Sequence, residues 1–258
     1  MPIIPDIRIA SSLQEWAHDA AMFIVSVGER AIRSNGRFFL ALSGGSTPKT
    51  LYQVLTTPEW KARLDWSRVV FLFGDERCVP PDHPDSNFKM AHSALFQPLH
   101  VSGDHIVRMK GEHDNPSAAA QEYEETLRGL TNSPSPHRPV IDLVLLGLGD
   151  DGHTASLFPG TAALQEQNTL VTVGHAPTGI RSRLTLTVGA LNHAAVVLFL
   201  VTGPNKAHMV RRVIQPESEA DRSLPAARIS PDSGQLVWML DQSAGQELKT
   251  IPSQQGKR

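Results

Sequence analysis

The chain has 258 residues, 40% of them hydrophobic, and a formal net charge of -2. A single α/β domain of that length can bury a sizeable core, and the charge leaves no basic footprint for nucleic acid. Cys78 is the single cysteine, which excludes an intramolecular disulfide and a thiolate zinc cage and fits a reducing compartment. No window approaches the ~18 consecutive apolar residues of a membrane span, and MPIIPDIRIASS at the N-terminus lacks the pattern of a secretory signal. The expectation is a cytoplasmic protein with neither membrane nor nucleic-acid partners.

Ser12 and Glu15 have the spacing of a capping box, and Leu13, Trp16, Ala17, Ala20, Ile24, Val27 and Ala31 recur at helical spacing until Gly36. That pattern predicts an amphipathic helix packed on a sheet. RFFLAL (37–42) reads as a short strand, SGGST as the loop after it, and Pro48 suits the first turn of a helix running PKTLYQVL. The apolar run Val69–Phe73 is the next strand. It leads into GDERCVPPDHPDSN and a helix from about Phe88 to Phe96. Alanine and glutamate predict a helix over Ser117–Leu130, and TNSPSPHRP (131–139) reads as a surface connector.

Ile141–Leu146 is apolar enough to be a strand buried on both faces. LTLTV (184–188) alternates as a half-buried strand, AAVVLFLV (194–201) is a buried one, Asn205–Ile214 returns to helix, and LVWML (236–240) is a last strand. Strands alternating with helices predict an α/β fold: a three-layer, mostly parallel sheet flanked by helices, in a modified Rossmann-like arrangement. One domain is expected over residues 1–258, with a polar, frayed tail from about Ser243.

Ligands of such sheets gather beyond the carboxyl ends of the strands, so the loops there carry the candidate chemistry. After the second predicted element, Gly44 and Gly45 clear space for backbone N–H groups to approach an anion, and Ser46 and Thr47 add hydroxyls at a helix N-terminus. The combination suits a phosphate monoester; a tight turn with an ordinary cap is the alternative. No GK[ST] follows, and Pro48 stands where a nucleophile elbow needs glycine.

Gly74, Asp75, Glu76 and Arg77 put two carboxylates and a guanidinium at the same sheet edge. Arg183 and Lys206 are cations near element boundaries, suited to phosphate or carboxylate, although each taken singly reads more readily as solvated surface charge. The turn GLGDDGH (147–153) also spells Gly147-x-Gly149-x-x-Gly152. Asp150 and Asp151 would place carboxylates where a dinucleotide pyrophosphate should sit, and Pro159 stops a long crossover helix, so nucleotide binding is not expected. His153 is the histidine best placed to carry a proton, with Asp150 or Asp151 to orient it; capping a short helix over TASLF (154–158) is the alternative. The remaining histidines show no metal-ligand spacing.

SGGSTP (43–48), GDER (74–77), DSN (85–87) and GLGDDGHTASLFPG (147–160), in that order and spacing, together resemble the 6-phosphogluconolactonase family. Arg183 in RLTLT and Lys206 in TGPNKA match two further family positions. The resemblance implies hydrolysis of a sugar-phosphate lactone without metal or organic cofactor, in a protein expected to be monomeric. It implies His153 as general base, Asp151 orienting it and Arg77 stabilising the oxyanion. Gly44, Gly45, Ser46, Thr47, Arg183 and Lys206 would then hold the phosphate, with Asp75 and Asn87 on sugar hydroxyls or positioning Arg77. Isomerases and deaminases of the same superfamily are the alternative, disfavoured by Leu157, Phe158 and Pro159 after the histidine turn and by Arg77. A sugar-phosphate sensor that binds without turnover is a second alternative.

Overall fold

The structure is a computed structural model that describes residues 4–130 and 141–249; TNSPSPHRP and the last residues, 250–258, lie outside them. The strands are β1 (Asp6–Ala10), β2 (Phe38–Leu42), β3 (Val69–Phe73), β4 (Asp75–Arg77), β5 (Leu143–Leu146), β6 (Val171–His175), β7 (Ser182–Leu186), β8 (Val196–Val201) and β9 (Gln235–Asp241). The α-helical segments are α1 (Leu13–Asn35), α2 (Ser46–Leu55), α3 (Pro58–Lys61), α4 (Asn87–Ala91), α5 (Gln97–Leu99), α6 (Pro116–Leu130), α7 (Val188–Asn192), α8 (Ala207–Ile214) and α9 (Glu219–Arg222).

Six strands form a wholly parallel sheet in the order β1-β9-β8-β5-β2-β3. Every residue of β2, β3, β5 and β8 is buried, as expected of strands covered by helices on both faces. The chain moves outward from β2 to β3 and, after β5, in the opposite direction to β8. The crevice between the carboxyl ends of β2 and β5 is therefore the topological switch point. A separate antiparallel sheet, β4-β7-β6, follows directly from β3 and stands over that edge.

Within α1, Trp16, Ala17, Ala20, Ile24, Val27 and Ala31 are buried as the periodicity predicts, but Leu13 is 60% exposed because it lies in the first turn, ahead of the sheet. The cap is only half reciprocal. Ser12 Oγ accepts the Glu15 N–H at 3.1 Å, whereas the Glu15 carboxylate reaches one residue farther back, to the Ser11 N–H at 2.7 Å. The helix expected from Phe88 begins at Asn87, passes through a π-helical turn at His92–Phe96 and ends with α5.

Two expectations differ in detail. The half-buried strand lies at Ser182–Leu186, and Thr187 instead caps α7 by accepting the Ala190 N–H at 3.2 Å. Beyond Ser243 the described residues are not frayed: Ala244 is fully buried, its N–H bonds Asp241 at 2.8 Å, and Lys249 and Gln215 exchange two 2.9 Å bonds. Polar composition there serves specific bonds to β9 and to the end of α8. The strands β1, β4 and β6 were not predicted; each is short and owes its form to a neighbour rather than to its own periodicity.

Two buried tyrosines clamp strand ends at the site edge. Tyr52 Oη donates to the Ser43 carbonyl at 2.8 Å and accepts the Ser43 N–H at 3.0 Å. Tyr123 treats Phe73 in the same way, at 3.1 and 2.8 Å. Burial pushes both phenols well above their ordinary values. Tyr52→Phe leaves a buried N–H and carbonyl unpaired, so a loss of about 1–3 kcal/mol is expected in urea unfolding, with unchanged far-UV circular dichroism.

Candidate active site

Beyond the switch point lies a cavity of about 260 Å³, lined by residues that follow β2, β3, β5 and β8. Ser43–Pro48 arrive from β2. Gly45 caps α2 without a side-chain bond, so the first N–H groups of the helix, which have no intrahelical acceptors, remain available to an anion. Thr47 Oγ1 lies 2.9 Å from Thr202 Oγ1, which comes from the loop after β8. The two hydroxyls join the glycine loop to the TGPNK loop that carries Lys206, another lining residue.

His153 enters from the turn after β5. Its Nδ1 is 2.5 Å from Asp151 Oδ1, and the same oxygen accepts the His153 backbone N–H at 3.0 Å. Burial alone would raise the Asp151 carboxyl, but the His153 N–H and the imidazole more than offset it and hold the carboxyl below its ordinary value. The ring packs on Phe158, with centroids 4.5 Å apart. A Cβ on Gly149 would fall 2.0 Å from His153 Nδ1, so only glycine lets the turn fold back beneath the imidazole. Asp150, the neighbour in sequence, pairs with Lys206 instead. No helix follows: Thr154 and Leu157 form a β-bridge, and Ala155 takes a left-handed φ of 47°. His153 is therefore not the cap of a helix over TASLF.

From β4, directly after β3, come Asp75 and Arg77. Asp75 Oδ2 accepts Ser156 Oγ–H at 2.6 Å, and Asn87 Nδ2 donates to the Asp75 carbonyl at 2.9 Å. Asn87 sits against Gly44, where a Cβ would lie 2.0 Å from its Oδ1; the phosphate-type loop and the GDER strand thus meet through a missing side chain. The Arg77 guanidinium donates to the Asp85 carbonyl.

Arg183 on β7 stands directly across from Arg77 in the antiparallel register, which brings two like charges together. Burial, and then the charge of Arg77, push the Arg183 guanidinium below its ordinary value. The buried Nε of each arginine has no hydrogen-bond partner among the described residues. An anion between or beside the two would relieve both deficits.

The structure brings Gly44, Gly45, Ser46, Thr47, Asp75, Arg77, Asn87, His153 and Lys206 to one cavity. Asp151 stands behind the imidazole, and Arg183 stands behind Arg77 rather than in the lining. Sequence reasoning missed Thr202 and Ser156. Thr202 was open to the same rule that found Gly44, since it directly follows a buried parallel strand. Ser156, 1% exposed, had no such signal because its partner Asp75 is remote in sequence.

Fold and cavity define an α/β enzyme of Rossmann-like class whose cavity gathers an open helix N-terminus, a lysine, an arginine and a histidine. The chain belongs to the glucosamine-6-phosphate isomerase/6-phosphogluconolactonase family, whose model matches residues 11–238. It is 42% identical to a 6-phosphogluconolactonase of Nostoc sp. over 220 residues, covering 85% of this chain and 88% of that one. With the 6-phosphogluconolactonase of Synechocystis sp. it shares 39% identity, over 95% of this chain and 99% of the relative. The solved 6-phosphogluconolactonase of Trypanosoma brucei superposes with a TM-score of 0.84 at 29% identity, over 95% of this chain and 99% of that structure.

Proposed function

We propose that this chain hydrolyses 6-phospho-D-glucono-1,5-lactone to 6-phosphogluconate in the oxidative pentose phosphate pathway, with His153 as the general base. The observation that carries the mechanism is the Asp151–His153 pair on the wall of the cavity. A carboxylate at Nδ1 favours the tautomer protonated there and leaves Nε2 as the basic nitrogen. Gly44, Gly45, Ser46 and Thr47, with Lys206, hold the phosphate, and Arg183 adds positive charge from behind Arg77, so that the binding energy becomes orientation of the lactone ring.

Nε2 takes a proton from water as the oxygen attacks C1, and the carbonyl pair moves to oxygen, where Arg77 stabilises the charge. The tetrahedral intermediate then collapses, the bond from C1 to the ring oxygen breaks, and that oxygen recovers the proton from His153. Asp75 and Asn87, already bonded to each other, face the sugar hydroxyls. In this reading the protein works as a cytoplasmic monomer without metal or organic cofactor; among the described residues, no helix is long and apolar enough to cross a membrane.

The deciding assay couples fresh lactone to 6-phosphogluconate dehydrogenase and subtracts spontaneous opening. Turnover well above background is expected; binding of 6-phosphogluconate without turnover would mean a sensor, and turnover of glucosamine 6-phosphate a deaminase. Sedimentation at two concentrations tests the monomer. Lys206→Ala and Arg183→Ala should raise KM about tenfold or more and change kcat much less, since a phosphate held equally in ground and transition states is uniform binding. A fall in kcat with unchanged KM in both variants would remove them from the phosphate.

A further inference from the structure

Glu76 is 3% exposed, and the mechanism above gives it no part. Its carboxylate is fully engaged. Oε1 accepts the backbone N–H of Arg77 at 2.8 Å and of Asn87 at 2.7 Å, while Oε2 accepts the Phe88 N–H at 2.8 Å and Ser86 Oγ–H at 3.1 Å. Burial pushes the carboxyl above its ordinary value, against the opposing pull of the Phe88, Asn87 and Arg77 N–H groups.

These donors come from two places that sequence separates: β4 itself, and the turn from Ser86 into α4. One carboxylate therefore welds that turn to the strand. The turn presents the Asp85 carbonyl to the Arg77 guanidinium and the Asn87 amide to Asp75, so the aim of three cavity groups depends on it. Only a carboxylate meets this donor set. In a glutamine, the NH₂ would face at least one backbone N–H in either orientation of the amide.

We propose that Glu76 is a positioning residue of the active site, a buried carboxylate that holds the 85–88 turn against β4 and so aims Arg77 and Asn87 at the reacting lactone. The proposal rests on the lactonase reading, in which Arg77 stabilises the oxyanion. Glu76→Gln should lower kcat by about 10- to 100-fold, the scale of a catalytic group displaced by roughly an ångström, with a smaller change in KM.

A double-mutant cycle with Arg77→Ala separates positioning from general damage. With Arg77 absent, Glu76→Gln should cost several-fold less in kcat than it does in the wild type, because one of the two groups it aims is gone and only the part that acts through Asn87 remains. Equal losses in both backgrounds, or a Glu76→Gln enzyme with wild-type kcat, would overturn the proposal. Should Glu76→Gln fail to fold, Ser86→Ala removes one donor and should show the same dependence on Arg77, with independence overturning the idea. The Arg77 Nε–H resonance in ¹⁵N-labelled protein gives a readout free of catalysis. A shift in the Glu76→Gln or Ser86→Ala protein supports positioning even if the wild type proves inactive on the lactone, and an unmoved resonance rejects it.

Discussion

His153→Ala should lower kcat by about 10²- to 10⁴-fold and leave KM nearly unchanged, the loss associated with a general base that acts only as the transition state forms. In the proposed reaction the lactone binds mainly through its phosphate, at groups other than the imidazole, so loss of the base leaves that binding in place. Asp151→Asn should follow in the same direction with a smaller loss, because an amide can still accept from Nδ1–H but carries no charge to stabilise the imidazolium. Gly149→Ala offers an independent route to the same result: a Cβ 2.0 Å from Nδ1 must displace the ring. Steady-state rates for the three variants, after subtraction of spontaneous hydrolysis, check the assignment. A Gly149→Ala enzyme with full activity, or a His153→Ala enzyme within a few-fold of wild type, would take the base elsewhere.

Arg77→Ala should cost about 10²- to 10³-fold in kcat, the scale for loss of one preorganised donor to a developing oxyanion. The reason lies in timing. Charge on the carbonyl oxygen is larger in the transition state than in the lactone, so a guanidinium aimed there lowers the barrier more than it tightens binding. Arg77→Lys should recover little, because its point charge cannot at once meet the Asp85 carbonyl and point an N–H into the cavity. Removing Arg77 also relieves the like-charge contact with Arg183 across the strands, so thermal stability should be unchanged or slightly higher while activity collapses. A variant with unaltered kcat and a raised KM would instead place Arg77 on the phosphate beside Arg183.

The legible parts of this protein were those written in local pattern. Apolar runs at Val69–Phe73 and Leu143–Leu146, each followed by a loop rich in glycine and charge, announced parallel strands and the edge at which chemistry would collect. Where the pattern was too short to carry a period, as in β1, β4 and β6, reading failed, because a strand of three to five residues is stabilised by the partner it pairs with rather than by its own composition. The polar segment after β9 misled in the opposite direction. Its polar groups are bonded to Asp241 and Gln215, and composition alone does not distinguish a solvated group from a satisfied one.

The candidate site divides along the same line. The sequence by itself determined the residue types: a glycine-serine-threonine loop, an arginine after a buried strand, a histidine beside two aspartates. Each rests on contacts of only a few residues or on position at a strand end, and such features survive in one dimension. Only the tertiary structure decided which aspartate serves which partner, with Asp151 on His153 and Asp150 on Lys206, and only it set Arg183 against Arg77, Ser156 against Asp75 and Glu76 beneath Asn87. Adjacent side chains leave the backbone in different directions, and hydrogen bonds hold over about 3 Å. Partners that close in space and, like Arg77 and Arg183, more than a hundred residues apart in sequence are fixed by how the sheets pack, which no local pattern encodes.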